Sequence, residues 1–159
     1  MEPVVVRPAE PRDAFAVAAL HLQAEREDGR TIPPGFLDTL ADAWLRDRAR
    51  STWLALDAGQ NPVGTVHGTL VHTLPSPSRD TTAWMHVGFL FVSAGARGAG
   101  LGTRLMETVL DWCSERGVDR VQLHALEAAR PVYERLGFGP PSERLVELRL
   151  SDRSRRRAG

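Results

Sequence analysis

Residues 86–102, HVGFLFVSAGARGAGLG, limit what this chain can fold into more than any other stretch. The segment opens as a strand, with Val87, Phe89 and Phe91 alternating against Leu90 and Val92, and with β-branched and aromatic residues dominating. Small residues 93–96 follow, then Arg97-Gly98-Ala99-Gly100-Leu101-Gly102. From there the apolar period changes from two to about 3.6, and Leu101, Leu105, Val109 and Cys113 fall on one helical face. A strand, a glycine-rich turn and a helix are therefore expected in succession. Such a turn aims backbone N–H groups at an anion, above all a phosphate, from the positive end of a helix dipole. Glycine matters there because a Cβ would hold the main chain away from the phosphate oxygens.

The kind of phosphate ligand is narrowed by what the turn lacks. A nucleotide P-loop needs a lysine after its last glycine, but Thr103 stands there and the chain contains no lysine. A dinucleotide turn reads G-x-G-x-x-G at the strand end, whereas here the glycines are spaced G-x-G-x-G and begin well after Val92. The segment LFVSAGARGAGLG instead resembles the acetyl-CoA-binding motif, [R/Q]-x-x-G-x-[G/A] after a strand ending in L-[FY]-V, of the GNAT superfamily of N-acetyltransferases. Downstream, Ala129 and the run Arg130-Pro131-Val132-Tyr133-Glu134-Arg135-Leu136-Gly137-Phe138 resemble that family's A-x-x-x-Y-E-x-L-G-F signature. The likeness covers about residues 83–138 and is only topological before that.

The resemblance implies an α/β GNAT fold: a mixed, mostly antiparallel sheet with a splayed parallel pair, flanked by about four helices. It implies acetyl-CoA as cosubstrate and direct transfer of the acetyl group to a primary amine of a small molecule or an exposed peptide amino group. By motif position, the backbone of Arg97, Gly98, Ala99, Gly100, Leu101 and Gly102, with Thr103, would anchor the pyrophosphate. The edge formed by Leu90, Phe91 and Val92 would pair with the pantetheine, beside a bulge. A backbone N–H near Leu90 would serve the oxyanion. Tyr133, the chain's single tyrosine, takes the family's position for protonating the thiolate. The family's frequent glutamate on the central strand is absent, and His86 is the nearest titratable group for a base, with Glu25 and Glu27 as acceptor-side alternatives. Two departures would weaken cofactor binding: Ser93-Ala94-Gly95-Ala96 replaces the family's polar-Pro-acid-Tyr link, and Leu126 stands where an asparagine is frequent. The alternative from another class is a catalytically silent acyl-CoA-binding regulatory module.

Bulk properties agree with an enzyme-sized domain. The 159 residues are expected to form one domain over residues 1–152 and an Arg-rich flexible tail over 153–159. Twenty basic and twenty acidic residues cancel, which removes the broad field that nucleic acid or an anionic membrane would need. Anion binding by the tail arginines is a minor alternative. All basic residues being arginine points to a GC-rich bacterial genome. Cys113 lies on the apolar stripe and reads as a buried small hydrophobe. The histidines show no metal-ligand spacing, so no metal is expected. No apolar run approaches a membrane span or a signal h-region, which gives a cytoplasmic expectation. The arm over residues 74–82 and the sheet edges leave a homodimer open.

In chain order, strands are expected over 4–7, 52–56, 63–74, 86–92, 118–124 and 145–150. Helices are expected over 15–26, capped by Asp13 and with Phe15 on the apolar stripe, and over 36–49, 101–116 and 128–136.

Overall fold

A computed structural model describes residues 3–79 and 83–157. Its elements, in order, are β1 Val5–Pro8, α1 Ala14–Glu27, α2 Phe36–Arg46, β2 Arg50–Leu56, β3 Pro62–His72, β4 Ala83–Val92, α3 Leu101–Glu115, β5 Val121–Leu123, α4 Arg130–Arg135 and α5 Leu150–Arg157. One five-stranded sheet runs β1-β2-β3-β4-β5, antiparallel throughout except for the parallel pair β4–β5. The helical crossover through α3 forces that parallel pairing.

Helices cover both faces of the sheet. On one side α3 buries Leu101, Leu105, Met106, Val109 and Cys113 against Trp53, Val66, Met85 and Val87. On the other, α1 sets Val17 and Leu20 against Leu54 and Phe91, and Ala14 and Ala18 against Ala41 of α2. Because α1 is wedged between the sheet and α2, its buried arc is not the single stripe expected. Phe15 lies outside that arc and is 58% exposed. Asp13 occupies the cap position of α1 without capping it. Its carboxylate accepts instead from Arg7 Nη1 and Nη2 at 2.7 and 3.0 Å and from the Glu10 N–H at 2.7 Å.

α2 ends at Arg46, short of the expected 49, because Asp47 accepts from the Ala49 N–H (3.1 Å) and so offers the backbone a turn in place of another helical bond. β4 carries a bulge. Phe89 faces His67 and Val87 faces Gly68, so Gly88 has no partner of its own. The bulge reverses the alternation expected for this strand: Val87 joins Leu90 and Val92 on the α3 side, while Phe89 and Phe91 face α1. A Cβ on Gly68 would come 2.4 Å from Met85 Sδ and 3.1 Å from His86 O, so a side chain there would force the buried Met85 to move.

β5 is only three residues long, not the seven expected, although the Met85 N–H bonds Arg120 O just before it. Residues 145–150, expected to close the sheet, form no strand. An edge of three residues is too short to set the register of a longer strand. From Leu150 the chain turns helical, with Asp152 in the first turn and arginines following, an order that suits the helix dipole. Residues 153–157, expected as part of a flexible tail, belong to this helix, α5. The expected pairing arm extends into residues 80–82, which lie outside the described residues, as do 158–159 of the tail. Among the described residues no helix is long and apolar enough to cross a membrane.

Candidate active site

The glycine turn is built as its composition dictates. A short 3-10 turn, Ala94–Ala96, leads out of β4. Gly98 and Gly100 then take left-handed conformations, with φ of 85° and 73°. A Cβ at either would meet nothing within 4 Å, so the requirement there is backbone conformation and the open space above the turn. α3 starts at Leu101, and the Arg104 N–H closes its first bond onto Gly100 O at 3.0 Å. Among the described residues, the N–H groups of Gly98 to Thr103 have no backbone acceptor, the usual state of a helix start. A concavity of about 640 Å³ lies beside them, lined by Val4, Val63, Ser93, Ala99, Leu101 and Arg104 among others.

The Arg97 side chain, which helps to line this concavity, is held by the protein's own groups. Its Nε donates to Val92 O at 2.9 Å, its guanidinium pairs with Glu27, and it lies 5.6 Å from the centre of the Phe91 ring. Glu27 is thus tied to the turn, and Glu25 to Arg30 at 2.8 Å. The two glutamates, considered as acceptor contacts, are both held in ion pairs.

Among the described residues β5 pairs only with Met85, His86 and Val87, so the stretch from Gly88 to Val92, which includes Leu90 and Phe91, has no neighbour strand on that side. The two parallel strands therefore part at the bulge. His86 stands just before the parting, with its ring 5.7 Å from that of His124. Tyr133, near the start of α4, is half-buried and meets Phe138 edge-on at 5.7 Å. Burial pushes its hydroxyl pKa above the usual tyrosine value. Cys113 is buried, and burial raises its thiol pKa too, which leaves it inert.

The structure also assembles a group of residues that sequence reasoning passed over. His21 of α1 stacks on Phe89 at 3.8 Å and lies 5.2 Å from His67 of β3. Arg50 of β2 gives Nη1 to His67 Nδ1 at 3.2 Å and gives Nε and Nη2 to Asp47 at 3.0 and 2.8 Å. Burial, reinforced by Arg50, lowers the pKa of His67 to about 3 and that of His21 to about 4. Both rings are therefore neutral near pH 7. His21, Arg50 and His67 line a cavity of about 140 Å³ beneath α1 and α2. In the sequence, their one signal is that His21 and His67 fall on core-facing positions. Among the described residues no cluster of three His, Cys, Asp or Glu side chains is placed to hold a metal.

Comparison with known proteins adds the family. A segment of 54 residues, 32% of the chain, is 46% identical to a mycothiol acetyltransferase from Beutenbergia cavernae and spans 18% of that enzyme's length. A predicted acetyltransferase from Clostridium acetobutylicum, crystallised with acetyl-CoA, superposes with a TM-score of 0.74 at 20% identity, covering 94% of this chain and 98% of that one. A ribosomal-protein-alanine N-acetyltransferase from Brucella melitensis biovar Abortus superposes with a TM-score of 0.69 at 26% identity, covering 92% and 99%. Residues 17–138, more than half of the chain, match the Acetyltransferase (GNAT) family. The parted parallel strands, the glycine turn on α3 and this match agree: the chain belongs to the Acetyltransferase (GNAT) family.

Proposed function

We propose that this protein is an N-acetyltransferase that moves an acetyl group from acetyl-CoA directly to a primary amine, of a small molecule or of an exposed peptide amino group. The observation that carries the reading is the joint geometry of turn and strand. Among the described residues, the N–H groups of Gly98 to Thr103 have no backbone acceptor and lie beside the concavity at the start of α3, and the Gly88–Val92 edge of β4 has no neighbour strand. The first suits a diphosphate. The second suits an extended chain with amides of its own, which would pair at Leu90, Phe91 and Val92. Arg97 and Arg104 line the concavity together with Asp57, and two cations against one carboxylate there suit a diphosphate, so the residues present fit the cosubstrate.

Bound acetyl-CoA supplies an acyl group activated as a thioester. The protein's own groups do the rest. The turn and the strand edge orient the donor, which lowers the entropic cost of bringing it to the amine. His86, where the strands part, is the proposed base for the acceptor ammonium. Tyr133 is the proposed acid: a hydroxyl with a raised pKa stays protonated at neutral pH and keeps a proton to give.

The test has two arms. Acetyl-CoA at millimolar concentration should raise the melting temperature and shift the amide resonances of Gly98 and Gly100. A thiol-release assay over an amine panel should then find at least one acceptor. No shift in the first arm would end the proposal. A shift without release for any amine would favour the regulatory acyl-CoA-binding module.

A further inference from the structure

We propose that the cavity between α1, α2 and β3 is the acceptor subsite, and that it holds a free amino acid by its carboxylate, seated on Arg50 and His67. This rests on the N-acetyltransferase reading above. The cavity measures about 140 Å³. One water occupies about 30 Å³ of liquid, so there is room for about five heavy atoms, the content of one α-amino carboxylate head. Apolar walls come from Val17, Ala18, Leu40 and Ala43, and among the described residues no carboxylate lines the space.

The polar groups are arranged for an anion. Asp47 takes Arg50 through Nε and Nη2 and leaves Nη1 turned to His67. A guanidinium has five N–H donors, so Nη1 keeps one beyond the bond to His67. His67, only 4% exposed, lies with Nδ1 3.2 Å and Nε2 3.5 Å from Arg50 Nη1, so the guanidinium and the ring form one wall of the space. Trp44 Nε1 is already given to Thr52 Oγ1 at 2.9 Å. Asp47 balances the Arg50 charge from outside the lining, so what the cavity offers an occupant is the remaining Arg50 N–H, which a carboxylate accepts and an ammonium does not.

Position completes the argument. A Cβ on Gly88 would lie 3.6 Å from His67 Cε1, so this ring borders the bulge where β4 and β5 part. A head gripped by its carboxylate at Arg50 and His67 is therefore held beside the bulge, with its amine two bonds from the gripped carboxyl carbon.

The experiment compares alanine, alaninamide and ethylamine by thiol release at saturating acetyl-CoA, in wild type, Arg50→Gln and Arg50→Lys. Alaninamide has the less basic amine, so chemistry alone would favour it. We expect kcat/KM for alanine to exceed that of both others by about tenfold or more. Arg50→Gln should abolish the preference through KM and keep the acetyl-CoA melting shift, while Arg50→Lys should restore part of it. Equal use of the three amines, use of the amide alone, or a preference unchanged in Arg50→Gln would each overturn the subsite and leave the transferase reading standing. If none is acetylated, calorimetric titration with alanine decides. Arg50-dependent binding supports the subsite even as transfer fails, and its lack overturns it.

Discussion

Asp13 ties the start of α1 to β1 by three bonds to one carboxylate, two from Arg7 and one from the Glu10 N–H. Arg7 holds that carboxyl below the usual aspartate range, against the opposing effect of burial. A depressed carboxylate contributes stability that is complete above the unfolded pKa of about 3.9 and is lost as pH falls through the folded value. Asp13→Asn should therefore cost about 1–3 kcal/mol at pH 7, and the gap should close below about pH 4. Urea denaturation at both pH values checks this. Tyr133 offers a second test at the same scale. Tyr133→Phe removes one oxygen and leaves the edge contact with Phe138. Turnover should fall by about tenfold or more with acetyl-CoA affinity little changed; unchanged turnover at saturating amine would remove Tyr133 from the proposed chemistry. The tyrosine was readable from its motif. The His21–His67–Arg50 group was not, because its members meet only when α1, β2 and β3 pack together.

The glycine turn and α3 form one element in function. Gly98→Ala must place a Cβ residue at φ 85°, at a cost of about 1 kcal/mol for an isolated left-handed position. Melting temperature should drop slightly, while acetyl-CoA affinity, measured calorimetrically, should drop further as the N–H groups tilt. Leu105, fully buried on the sheet-facing side of α3, behaves differently. Leu105→Ala should cost about 2–5 kcal/mol in a denaturant titration by opening a cavity under the turn. Both features could be read in advance, since a 3.6-residue stripe and a run of glycines are local signals. The bulge in β4 was legible as a family expectation, but its place at Gly88 was set by the partner strand, where Gly68 admits Met85 at close quarters.

At the scale of the molecule, the two buried histidines couple folding to pH. Their folded pKa values, about 3 and about 4, lie below the ordinary value of 6.5. Between pH 6.5 and about 4 the unfolded chain binds protons that the folded chain refuses, so stability falls as pH falls. The slope should approach about 1 kcal/mol per pH unit for each histidine. His67→Gln should flatten this fall in a pH series of urea midpoints, and an unchanged slope would show that the ring titrates normally in the folded protein. The C-terminal segment is the largest departure from what the pattern of residues promised. Residues 145–150 alternate well enough for a strand, but Leu145, Val146 and Leu148 are exposed and, among the described residues, the sheet consists of β1 to β5. A strand needs an edge, and three-residue β5 offers little of one.

The amino-acid sequence alone determined the order of strands up to the parallel pair, the turn at Gly98 and Gly100, the buried face of α3 and the family. These depend on short-range periodicity and on conformations that glycine alone adopts freely. Only the tertiary structure decided where β4 bulges, that Asp13 serves Arg7 instead of its helix, and that two histidines and an arginine from three elements share one cavity. Those outcomes depend on contacts between residues far apart in the chain, which no local pattern records.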